Sequence, residues 1–236
     1  MHKTGSLAVG KESVSGENAA AVGDKAKANG YKAMALGYDS AASGLSATAL
    51  GGESKAEALR SVAVGFRAHA KGTNDVAVGG AAAASGGQSV AVGLLSKASA
   101  LRAVAVGNGA QASNIDAVAI GRDSEADALS ATALGDRAKA RGTQSLALAS
   151  AAEAEGYQAV AVGTRAVSNA VNSVALGVES SATALNGLAV GTSSSVRKEG
   201  GTAVGGGASA LEEKSLALGF QAKGKAEKGV ALGAQS

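Results

Sequence analysis

Enzymatic chemistry would need a nucleophile beside a base, paired carboxylates or a cluster of metal ligands, and the chain is nearly bare of all three. It has two histidines, His2 and His69, and no cysteine, so neither a His-rich metal cluster nor a thiolate site can form. Serines are abundant, yet no histidine recurs where it could activate one. The run Gly205–Ser209, GGGAS, has the look of a phosphate loop but lacks the following Lys-Ser/Thr and opens no helix. It reads instead as glycines at a chain corner. Aspartate does not recur in the register of a Gly-Gly-x-Gly-x-Asp calcium repeat. No catalytic residue, cofactor or metal site is expected.

What does recur is charge. Counted from a glycine that returns every fourteen residues, Lys27, Lys55, Lys97, Lys139 and Lys223 stand four places on, and Arg67, Arg137 and Arg165 two places on. Lys27, Lys55, Arg67, Lys97, Arg137, Lys139 and Arg165 are therefore the candidates for holding a partner through surface charge. Glu125 and Glu153 interrupt the first row, and Asp39, Glu53, Asp123 and Glu179 the second. Such a mixture solvates a stacked surface and relieves like-charge repulsion more than it builds a polyanion site. His69 shares the lysines' outward row and reads as a solvated side chain. The net charge of +3 lacks the dense basic face that nucleic acid demands.

The elements that carry these rows follow from the repeat. Glycine stands at Gly10 and Gly23 and then at every fourteenth place to Gly233, with Ala149 substituting once; only the first interval is thirteen. Two places before each glycine is alanine in all seventeen units, flanked mostly by Val, Leu, Ile, Met or Thr, as in Val62-Ala63-Val64. That alternation is a short strand of period two. Small residues three and five places after the glycine, such as Ala68 and Ala70, make a second short strand. Gly44, Gly72, Gly86, Gly142 and Gly156, seven places after the main glycine, predict another corner with positive φ. A helix of this period would lose about 1 kcal/mol at each glycine relative to alanine. The spacing predicts coils of two strands and two turns rising about 4.8 Å each, roughly 75 Å in all, in one domain over 1–236.

Aromatics are 2% of residues, proline and tryptophan are absent, and apolar residues still reach 46%, so the core must be alanine, valine and leucine. In a slot about 10 Å wide, Val or Leu on one wall facing Ala or Ser on the other fills the space without overpacking. That reasoning puts Val62, Val64 and Ala68 inside. It turns Ala63 outward, with Ala77, Ala91, Ala105, Ala119 and Ala133, as candidate contacts between copies where only a methyl admits another backbone. The opposite assignment, alanine against a tighter interior and valines outside, stays open. Either leaves an apolar strip outside the coil for a second copy to cover. Tyr31, Leu45, Leu59, Leu101, Ile115, Leu129, Tyr157, Val171 and Leu185, eight places after the glycine, read as corner plugs or inter-chain contacts.

The unit SVAVGxxAxAxG at Ser61 to Gly72 resembles the head repeat of trimeric autotransporter adhesins, the YadA-like head. There Asn/Ser-Val-Ala-Ile/Val-Gly, with Ser or Ala three places on, recurs at this period. The likeness covers essentially the whole chain; the residue before the strand is often Ala, Gly or Asp, and Ala149 departs from glycine. The resemblance implies an all-β, left-handed parallel β-roll assembled as a homotrimeric head, with the alanine ladder as trimer-interface candidates. It implies a bacterial cell-surface location, anchored in the outer membrane through C-terminal segments absent here. Its implied partners are host matrix proteins such as collagen, fibronectin or laminin, or host cells. No heptads or barrel strands are visible, and no apolar run suits a signal peptide or a span of about 18 residues, so head alone is expected. The alternative function is a passive spacer or an ice-binding-type rod, although Thr48, Thr132 and Thr202 are too scattered for a flat threonine ladder.

Overall fold

The computed structural model describes residues 5–236; His2 lies outside them. The chain repeats one coil: a three-residue strand, a turn, a two-residue strand and a second turn. It falls into two compact units, one running to Asp116 and one over Ala117–Ser236. Among the described residues the first holds eight three-residue and eight two-residue strands, the second nine and eight. Within each unit every strand pairs in parallel with its counterpart in the next coil. Val62, Ala63 and Val64 face Val76, Ala77 and Val78, and His69 faces Ala83. Each unit is thus an all-β parallel solenoid of fourteen-residue coils, as the alternation predicts. The thirteen-residue coil keeps register, with Leu7 opposite Ala20.

The expected sense of the long strand is overturned. Ala63, Ala77, Ala91, Ala105, Ala119 and Ala133 are all 0% exposed and point into the coil, while Val62 and Val64 on either side are half-buried and point out. The physical reason is width. The other wall offers Ala68 and Ala70, also fully buried, and the place before the strand adds a buried Ser61. Methyls and hydroxyls fill the slot, so on the long strand valine is placed on the outer face of the pleat.

Two devices close the coil. At Gly65 φ is +126, and a Cβ there would stand 2.6 Å from the carbonyl oxygen of Gly79 in the next coil, so the stacked coils leave room for hydrogen alone. The second corner differs from expectation. Gly44 and Gly86 do not adopt positive φ; the left-handed residues include Ser46 and Gln88 two places on, at φ 56 and 54, with Gly87 at φ 82 beside the latter. What these glycines supply is clearance, since a Cβ on either would overlap the carbonyl of Ala58 or Ala100. Non-glycine residues accept the left-handed conformation because their amides then reach the preceding coil. Arg67, at φ 57, donates its N–H to the Gly52 carbonyl at 2.9 Å, offsetting a strain of about 1 kcal/mol.

Most interior hydroxyls are satisfied by the corners, the buried Ser145 Oγ being left without a partner. Ser54 Oγ donates to the Gly51 carbonyl at 2.8 Å and Ser61 Oγ to that of Ala58 at 2.8 Å. Asp75 takes the serine's place as a fully buried carboxylate. Its Oδ2 accepts the Gly72 N–H at 2.6 Å; its Oδ1 accepts the N–H and the hydroxyl of Ser89, both at 2.8 Å.

Candidate functional site

The surface of each coil presents three kinds of place, fixed by the pleat and the two turns. The first is the outer face of the long strand. In the first unit it carries Val62, Val64, Val76, Val78, Val90 and Val92, all half-buried, with Met34 and Leu36 more exposed. In the second unit Ile120 and Leu148 are the most open of this row away from the chain end. Every one of these side chains stacks on its counterpart one coil away, so each unit shows a continuous apolar ladder to water. This, not the buried alanine ladder, is the strip that sequence reasoning required outside the coil.

The second is the outer face of the short strand and the turn that leads into it, where the charge rows lie. Lys27, Lys55 and Lys97 are exposed and join no ion pair among the described residues. The arginines and Lys139 are tied down instead, mostly by a carboxylate one coil away. Arg67 Nε donates to Glu53 Oε2 at 2.7 Å, Arg165 pairs with Glu179, and Lys139 Nζ is 3.5 Å from Glu153 Oε1. Arg137 Nε donates to its neighbour Asp136 Oδ2 at 3.1 Å. Arg141 bridges Glu125 at 2.6 Å and Glu155 at 3.2 Å. The Arg122 guanidinium, donating to Asp136, holds that carboxyl below its ordinary range against partial desolvation. His69 faces outward as expected, with Nε2 2.9 Å from Glu57 Oε1, a contact that shuts the nitrogen from water without the alignment of a hydrogen bond.

Between these rows run open grooves rather than a pocket. One of about 250 Å³ is lined by Asp39, Glu53, Lys55, Arg67 and His69 in the first unit. Another of about 500 Å³ in the second is lined by Asp123, Glu125, Arg137, Lys139, Ala151, Glu153 and Arg165. Both alternate in sign. The structure therefore brings together the candidates Lys55 with Arg67, and Arg137 with Lys139 and Arg165, while Lys27 and Lys97 stand apart. Among the described residues no group of three or more His, Asp or Glu side chains is placed to hold a metal.

The third kind of place is the turn tips. Tyr31, Leu45, Leu101, Ile115, Leu129, Tyr157, Val171 and Leu185 stand out from one corner and are exposed, so they do not plug the coil. The periodicity of these rows is matched by the repeat family described as YadA head domain repeat (2 copies), over residues 15–40, 42–68, 70–96, 98–124, 126–148, 154–180, 168–194 and 197–222. The chain belongs to the YadA head family. It is a YadA-like head of the trimeric autotransporter adhesin kind. The matched segments of this YadA head pass over 149–153, where Ala149 stands in the glycine's place with φ 105. Among curated proteins, none matches the chain. Sequence reasoning missed the left-handed residue in each turn; the asparagines and aspartates such as Asn74, Asn172, Asn186, Asp39 and Asp116, and the glycines Gly109, Gly200 and Gly207 at the same places, were the available signal, since these types tolerate that conformation best.

Proposed function

We propose that this YadA head is the adhesive end of a bacterial surface protein, three copies packing as left-handed rolls through their long-strand ladders and binding host matrix proteins or cells across the outer, charged faces. The observation that carries this reading is the half-exposed Val/Leu ladder of each unit. An apolar strip of that length on a secreted coil asks for cover by an identical strip, and each valine taken from half-exposed to buried contributes about 1 kcal/mol. The grooves on the opposite sheet, open and of mixed sign, suit a broad macromolecular surface better than a small molecule. Anchoring through other segments and a surface location accord with the family.

The reading is tested in two steps. Sedimentation equilibrium of the purified chain is expected to give a trimer, and a monomer at micromolar concentration would overturn the packing. Immobilised collagen, fibronectin and laminin, together with whole cells, are then offered to the trimer; retention by at least one is expected, and retention by none would favour a passive spacer.

A further inference from the structure

One corner of the first unit carries a feature that neither the coil nor the ladder uses. The place directly after the main glycine is polar through much of its row: Lys11, Asp24 and Asn108 in this unit, Arg122, Asp136, Ser150 and Thr164 in the other. A row covered lengthwise by another copy would be apolar throughout, as the place before the glycine is. This corner therefore faces water. Between Tyr38 and Leu94 it changes character and reads Tyr38, Gly52, Phe66, Gly80, Leu94, large apolar side chains alternating with glycine. Tyr38 and Phe66 are each 55% exposed and Leu94 51%.

The glycines make notches between knobs. A Cβ on Gly52 would lie 3.5 Å from Cδ2 of Phe66, and one on Gly80 3.1 Å from Cδ1 of Leu94, so Phe66 and Leu94 each lean over the bare backbone of the coil before, whereas Tyr38 follows Asp24. Cations steady the rings: Lys25 Nζ lies 5.7 Å from the Tyr38 ring centroid and the Arg67 guanidinium 4.8 Å from that of Phe66. Asp39, exposed beside Tyr38, makes no ion pair among the described residues.

Spacing selects the occupant. The knobs are two coils apart, about 9.6 Å, or about 19 Å from first to third. A polyproline II chain rises about 3.1 Å per residue with three residues per turn, so two turns span about 18.6 Å and stay in step. Four turns of α-helix span about 21.6 Å and slip by more than 2 Å, and a strand's repeat of about 6.7 Å comes within about 1 Å of the full span at three repeats but puts no side chain of that face at the middle knob. We propose that the Tyr38–Phe66–Leu94 stripe docks a proline-rich segment in the polyproline II conformation, one apolar residue per turn seated in each gap between successive knobs and a basic residue against Asp39. Aromatic platforms of this kind recognise such helices because little conformational entropy remains to be lost. The inference rests on the reading above only in leaving this corner uncovered when copies meet through the long strands.

The test titrates the full chain into a fluorescent peptide of about nine residues, with leucine every third position among prolines and arginine at one end. Saturable binding is expected. Phe66→Ala is expected to weaken it at least about tenfold, the loss typical of a central anchor, and Gly52→Ser to do likewise by filling the notch. Asp39→Asn should weaken the arginine peptide but not one with leucine in its place. Phe220→Ala, in the same row but with Thr192 two coils before it, should leave binding unchanged. The proposal is overturned if a shuffled peptide binds equally, if Phe66→Ala changes nothing, or if a triple-helical collagen-like peptide binds while the single chain does not. Sedimentation of the same samples keeps the two readings apart: a monomer that still binds the peptide sinks the trimer alone, and a trimer that does not sinks the stripe alone.

Discussion

At Ala63 a methyl is the largest group the coil admits, and the same holds at each of its counterparts along the ladder. Ala63→Leu is therefore expected to break the coil rather than to loosen contacts between copies, costing roughly 3 kcal/mol or more by overpacking, seen as a lowered denaturation midpoint at all protein concentrations. Ala149 has the reverse problem, a Cβ carried at φ 105. Ala149→Gly should raise stability by about 1 kcal/mol as strain relief outweighs the added freedom of the unfolded chain, measurable by urea unfolding. Asp75→Ala leaves the Gly72 amide and the Ser89 amide and hydroxyl without their acceptor and is expected to cost about 2–4 kcal/mol. Asp75→Ser, which reproduces the arrangement at Ser61, should cost less. The recurrence of these alanines was plain in the sequence, but their direction was not. Period two says only that neighbours point oppositely; which face is inside depends on the slot's width, and that is set by turns whose left-handed residues, Arg67 among them, carry no strong type signature.

Coil-to-coil compensation governs the elements. Val196 is the one valine in the buried place of the short strand, and the two places beside it are Gly187 and Gly201. A Cβ on these would stand 3.0 and 2.8 Å from Val196 Cγ1. The three residues thus exchange volume so that the slot keeps a constant width. Gly201→Ala alone should destabilise by overpacking, and Val196→Ala alone by a cavity costing about 1–2 kcal/mol. Together they restore the alanine pair of other coils, so the double variant is expected to fall well short of the sum in a double-mutant cycle. This exchange was hidden in the sequence because the partners lie nine and five residues away rather than at the repeat period. The cross-coil ion pairs contribute less. Asp116 and Asp136 are held below the usual carboxylate range by Arg102 and Arg122, so their stabilisation is present above the unfolded-state pKa and is lost as pH falls through the folded value. Both remain half open to solvent, which screens the pairs, so the melting midpoint should decline only slightly on acidification through that range.

For the molecule as a whole, the family and the solenoid were legible from one repeated five-residue pattern, whereas the partner-facing strip was legible only as a requirement that some apolar strip lie outside. Val64→Glu with Val78→Glu places like charges on the proposed contact in adjacent coils and is expected to shift sedimentation from trimer to monomer, with the β-sheet circular dichroism of each chain retained. The strict register of the ladder also bears on length. Because every coil binds its neighbours through the same hydrogen bonds and the same small groups, an in-frame gain or loss of one whole repeat within a unit leaves each remaining coil with an equivalent neighbour. The number of coils in a unit can therefore change in steps of one repeat, each of which is expected to yield a folded chain.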